Sequence, residues 1–134
     1  MSLLTNLIGL GMPPEQASAI DGYTASSAPN LTSTGSITAA GTTIADATAL
    51  TSFVNVVSTT ATSTGVKLPD VPVGQSVFVQ NNGANALNLW PHSSTGTLNG
   101  GTAGAAVTIA AAAGNICVRS SSTNWLVYVL AKEA

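Results

Sequence analysis

His92 is the single histidine of the chain and Cys117 its single cysteine, so any chemistry needing an imidazole or a thiol must use one of these two. A metal site at His92 would have to recruit Asp46, Asp70 or Cys117, since zinc-type sites need several N, S or carboxylate ligands. Their spacing gives no reason for them to meet, and His92 in Trp90-Pro91-His92-Ser93 reads as a turn histidine. Serine is abundant, but a Ser–His–acid triad would need this same histidine beside a buried acid. Cys117 lies in the strand-like run Asn115-Ile116-Cys117-Val118-Arg119 and reads as a buried structural thiol. Gly9-Leu10-Gly11 lacks the further glycine and the preceding strand of a dinucleotide loop, and no lysine follows a glycine run as in a phosphate loop. No cofactor, metal or catalytic residue is expected, and the chain does not read as an enzyme.

The charges point the same way. Lys67, Arg119 and Lys132 face Glu15, Asp21, Asp46, Asp70 and Glu133, which is 6% of the 134 residues where a soluble domain carries roughly 25%. Three scattered cations cannot build a track for phosphates, so nucleic acid is not an expected partner. Five scattered acids offer no carboxylate pair for general acid–base work. In place of charge stand 18 Thr, 15 Ser, 21 Ala, 10 Asn and 13 Gly. A neutral, hydroxylated skin costs little to desolvate, which favours assembly with copies of itself.

The elements that would position these residues fall into three regions. Residues 1–23 read as a helical N-terminal arm for anchoring or interface formation. Leu3, Leu4, Leu7 and Ile8 recur at helical spacing, Leu10 extends the stripe, and Pro13-Pro14-Glu15 opens a second short helix ending at Asp21-Gly22. Helices this short do not persist alone; the stripe packs either on its own core or on a partner. Met1 to Met12 has no cationic flank and no adequate apolar run, so it reads as neither signal peptide nor membrane span, and synthesis in a cytoplasm follows. Residues 24–35 read as a linker.

Residues 36–134 read as a β domain. The predicted strands are Ser36–Thr38, Leu50–Ser58, Gly65–Leu68, Ser76–Asn81, Leu87–Trp90, Ala106–Ala110, Asn115–Ser120 and Asn124–Leu130, separated by Pro-, Gly- and Asn-rich turns. Their number and spacing predict a mainly β fold, an antiparallel β-sandwich or jelly-roll-like barrel behind the helical arm. Phe53–Val57 and Trp125–Leu130 are apolar on both faces, which demands cover on the second face as well. For the last strand the expected cover is another subunit, with Trp125, Val127, Tyr128 and Val129 at the interface. Trp90 and His92, beside the polar loop Ser93–Gly101, also offer a sugar-stacking platform; the other reading makes Trp90 a core or interface anchor.

Leu68-Pro69-Asp70-Val71-Pro72-Val73-Gly74, the run from Val77 through Asn81-Asn82-Gly83-Ala84-Asn85 to Trp90-Pro91, Gly96–Gly100, Val107–Ala110 and Ser122–Trp125 together resemble a pattern in small virion proteins of tailed bacteriophages, of the head-decoration (cement), head-fibre and tail-accessory kind. Leu10-Gly11-Met12-Pro13-Pro14-Glu15 is similar to the N-terminal segments of such proteins. The chain departs from the pattern at Trp90, where a smaller aromatic is expected. The resemblance implies a homotrimer on the capsid surface of the virion, with the major capsid protein as partner and no membrane. It also implies anchoring through the N-terminal segment, which here carries Leu3, Leu4, Leu7 and Ile8. A receptor- or glycan-binding head or tail fibre, using Trp90 and the Ser93–Gly101 loop, is the alternative from another class of function.

Overall fold

Strands alternate between two sheets as the chain advances. The computed structural model describes residues 32–130. One sheet has six strands in the order β1-β3-β5-β9-β10-β7. These are β1 (Ser33–Thr38), β3 (Val54–Thr59), β5 (Ser76–Asn81), β9 (Gly114–Arg119), β10 (Asn124–Leu130) and the two-residue β7 (Thr97–Leu98). The other has the order β2-β4-β6-β8, built from β2 (Thr48–Ala49), β4 (Gly65–Lys67), β6 (Leu87–Trp90) and β8 (Val107–Ile109). The fold is mainly β. The expected helical arm, with Leu3, Leu4, Leu7, Ile8 and Leu10, lies outside the described residues. β1 already begins at Ser33, ahead of the strand start read from the sequence.

The pairing corrects the antiparallel part of the sandwich or jelly-roll expectation: the sheets are mixed. β1–β3, β3–β5, β2–β4, β4–β6 and β7–β10 are all parallel. Parallel neighbours need a crossover, ordinarily a helix; here, from β1 to β6, each crossover is a strand of the opposite sheet. β1 reaches β3 through β2, and β3 reaches β5 through β4. The result is a coil in which Val54 pairs with Ser33 on one side and Phe78 on the other. Each turn takes about 20 residues, at the short end of known repeat units. Antiparallel pairings then close the coil: β8 on β6, β9 on β5, and β10 on β9.

One core lies between the sheets. Val57, Val77, Val79, Cys117 and Trp125 enter it from the six-stranded sheet, and Val66, Leu87, Leu89 and Ile109 from the other, all at 0–1% exposure. Burial of each such side chain contributes roughly 1.5–3 kcal/mol. Alternation along the strands places Val54, Val56, Phe78, Ile116, Val118 and Leu126 on the opposite face of the six-stranded sheet, where they are half-buried. That second apolar row is what made these strands apolar on both faces.

The turn Asn81–Asn85 carries the chain from β5 to β6, hence between sheets rather than around a hairpin. Asn81 holds it: Nδ2 donates to the carbonyls of Asn85 (2.9 Å), Ile109 and Ala110 (both 3.2 Å), while Oδ1 accepts from Gly83 N at 3.0 Å. Asn85 Nδ2 donates in turn to Thr60 O at 2.8 Å. Gly83 lies so close to Thr60 that a Cβ there would stand 2.1 Å from its Oγ1.

Candidate functional site

Arg119 ends β9 and is 9% exposed. In a chain so poor in charge, a buried guanidinium must find acceptors or destabilise the fold. Nη1 donates to the Asp70 carboxylate and to the Val71 carbonyl. Nη2 donates to Ser122 O at 2.7 Å, and Nε to Ser121 O at 3.3 Å. One side chain thereby ties the β4–β5 connection to the β9–β10 turn. Asp70 itself is exposed, its side chain at 76%, and the hydrogen bond from Arg119, aided by the Arg119 charge, holds its carboxyl below the usual carboxylate range.

His92 completes the cluster from the β6–β7 connection. Trp125 Nε1–H donates to His92 Nδ1 at 3.0 Å, with the two ring centroids 6.3 Å apart and the planes tilted by 52°. Arg119 Nη2 stands 3.1 Å from the other ring nitrogen. Indole and guanidinium groups are donors only, so both imidazole nitrogens face donors. Such surroundings favour the neutral ring. Burial, then the Arg119 charge, push the His92 pKa down, against a smaller upward pull from Asp70.

The sequence-predicted residues are distributed unevenly. Trp125, expected at a subunit interface, is 0% exposed and belongs to the chain's own core; its place there is a correction, caused by the inward face it shares with Cys117 and Val79. Val127 packs partly against that core. Tyr128 at 53% and Val129 at 73% are exposed, and so is Leu130 at 38%. Trp90 is only 7% exposed, and a Cβ on Gly65 would come within 2.1 Å of its ring, so it presents no open platform for a sugar. His92 is half-buried and meets Trp125 rather than Trp90.

The remaining chemical candidates are each engaged elsewhere. Asp46 Oδ1 accepts from Thr43 N at 2.7 Å and from Thr43 Oγ1 at 2.6 Å, which holds its carboxyl low. Burial pushes the Cys117 thiol up to about 12. Among the described residues, no three His, Cys, Asp or Glu side chains converge, and no helix is long and apolar enough to cross a membrane. Sequence reasoning missed Arg119 and Asp70 as partners of His92. The available signal was that each is a rare charge placed where a strand meets a turn.

The far end of β10 is the exposed apolar stretch of the described surface. β7 pairs with β10 only at Asn124 and Trp125. One rung on, the Asn99 side chain substitutes for a strand, with Oδ1 accepting from Val127 N at 2.7 Å and Nδ2 donating to Val127 O at 3.4 Å. No family model, no curated protein and no solved structure matches this chain.

Proposed function

We propose that the chain is a structural protein of a virion, a capsid decoration (cement) protein that assembles with copies of itself on the phage head and stabilises it. The observation that carries this reading is Tyr128-Val129-Leu130, three consecutive exposed apolar residues in a chain with 6% charged residues. An apolar patch on a neutral skin is a surface for burial against protein. The titratable groups that could have served catalysis are instead used to fasten turns, as Arg119, His92 and Asp70 are. The resemblance of residues 68–130 to head-decoration and head-fibre proteins supplies the partner, the major capsid protein, and the stoichiometry, a trimer.

The mechanism is mechanical. Burial of apolar surface, at roughly 25 cal/mol per Å², would clamp neighbouring capsid subunits, and small gains per copy multiply over symmetric sites. The test is co-sedimentation of the full chain with empty heads of its own virus. Binding that survives moderate salt is expected, because so few charges can be screened. Failure to co-sediment, or release by moderate salt, overturns the reading. A second arm removes residues 1–12: retention of full occupancy would exclude the N-terminal stripe as the anchor.

A further inference from the structure

Backbone groups of alternate residues in a strand point to opposite edges. Along β10 and the residue just before it, the carbonyls of Thr123 and Trp125 and the N–H of Val127 face the β7 side, accepting from Thr97 N and Asn99 N and donating to Asn99 Oδ1. Val129 therefore points its N–H and carbonyl to that same side. β7 has ended by then, and Asn99 closes only the rung at Val127. Among the described residues no strand lies beside Val129.

This edge lacks the usual protection. The β9–β10 ladder runs unbroken from Trp125–Arg119 to Leu130–Gly114, without a bulge. Val127-Tyr128-Val129-Leu130 contains no proline and no charge, the two devices that most often keep edges apart. Val129 is also the most exposed large hydrophobic of the described residues, at 73%. An incoming strand must be apolar on both faces, since Tyr128 and Leu130 lie on one and Val127 and Val129 on the other.

We propose that Tyr128–Leu130, just past the rung that Asn99 closes, is a strand-pairing site whose occupant is the same segment of a second copy, running antiparallel across a two-fold axis at Val129. The segment is complementary to itself. With Val129 opposite Val129 of the other copy, each donates its N–H to the other's carbonyl, and Tyr128 lies across from the other Leu130. Absence of charge matters most at a two-fold axis, where every residue near it meets its own kind. This rests on the reading that the chain self-associates but departs from the trimer that the resemblance implies, because a plain trimer contains no two-fold contact.

Sedimentation velocity of the full chain over a wide concentration range tests it with two variants. Val129→Pro deletes the outward N–H without touching the β9 ladder, and association should weaken about tenfold or more, two reciprocal hydrogen bonds being lost. Val129→Lys keeps the backbone but sets two like charges face to face. Its association should be weak at low salt and recover as salt is raised, a response that a docking mode without the two-fold would not show. A wild-type chain that is monomeric throughout, or trimeric, overturns the pairing, as does unchanged association in Val129→Lys at low salt. Capsid co-sedimentation reads the virion role separately, so either can fail without the other.

Discussion

Trp125 donates its indole N–H to Nδ1 of His92 across 3.0 Å, joining a residue of the core to the connection between β6 and β7. The bond exists only while Nδ1 carries no proton. Burial and the Arg119 guanidinium already push the His92 pKa below its ordinary 6.5. The unfolded chain therefore takes up a proton before the folded one does, so stability is fully present above about pH 6.5 and is lost as the pH falls further. The melting temperature should drop between pH 7.5 and pH 5. In His92→Gln, whose amide oxygen can still accept from Trp125 without titrating, the drop should be smaller. Asp70 does not confound the window, because its carboxyl titrates below 3.8.

Arg119 and Asp70 form one ion pair with unequal ends. Arg119 is buried and fastens four acceptors besides approaching His92, whereas Asp70 keeps its carboxylate in water. Arg119→Met should cost about 2–3 kcal/mol in urea unfolding, because hydrogen bonds from a charged group are lost and carbonyls are left bare. Arg119→Lys should recover little of this, since an ammonium cannot span the same fork of acceptors. Asp70→Asn should barely move the midpoint, as is usual for an exposed partner.

Strand positions were largely legible in the sequence; their neighbours were not. Ser76–Asn81, Leu87–Trp90 and Asn124–Leu130 have the expected limits, because β-branched and aromatic runs stop at Asn, Pro and Gly. Alternation reports which face of a strand is buried, and Val77 and Val79 obey it. It carries no information about which strand lies alongside, so parallel coil and antiparallel sandwich look alike at that level. β2 and β7, at two residues each, are too short to carry any pattern. The Arg119 cluster escaped because its partner Asp70 is 49 residues away, joined by topology rather than by spacing. Apolar residues on both faces of the last strand point to an interface for Trp125, Val127, Tyr128 and Val129 alike, but Trp125, two rungs before Val129 on the inward face, is part of the core.

Gly65 faces the ring of Trp90, and a Cβ there would stand 2.1 Å from Cζ3 and 2.3 Å from the Asn88 carbonyl. A buried indole flanked by a sheet cannot retreat. Gly65→Ala should therefore destabilise by about 1–3 kcal/mol through overpacking, with a matching fall in melting temperature. Gly35→Ala provides the control: nothing lies within 4 Å of a Cβ at that position, and its effect should stay within about 0.5 kcal/mol.

Cys117 has a thiol that burial pushes up to about 12, at 0% exposure between Val77 and Val127 in the ladder. Thiolate, not thiol, attacks disulfide and alkylating reagents. At pH 8 the native protein should be inert to an aromatic disulfide reagent. Reaction in urea should follow the unfolding curve measured by fluorescence. Fast labelling without denaturant would mean that β9 opens locally.

Asn99 substitutes for a strand residue where β7 stops, and it does so with a backbone φ of 53°, a conformation asparagine tolerates better than most. Its amide both accepts from Val127 N and donates to Val127 O. Asn99→Asp keeps the acceptor but replaces the donor with a negatively charged oxygen beside a carbonyl. The cost should be about 1 kcal/mol, the worth of one hydrogen bond plus mild repulsion. The site can be read by amide exchange in Asn99→Ala, which removes the acceptor as well: Val127 should lose protection while Leu126, bonded on the β9 side, keeps it. Equal loss at both would mean that Asn99 holds the whole end of β10 rather than its outer edge.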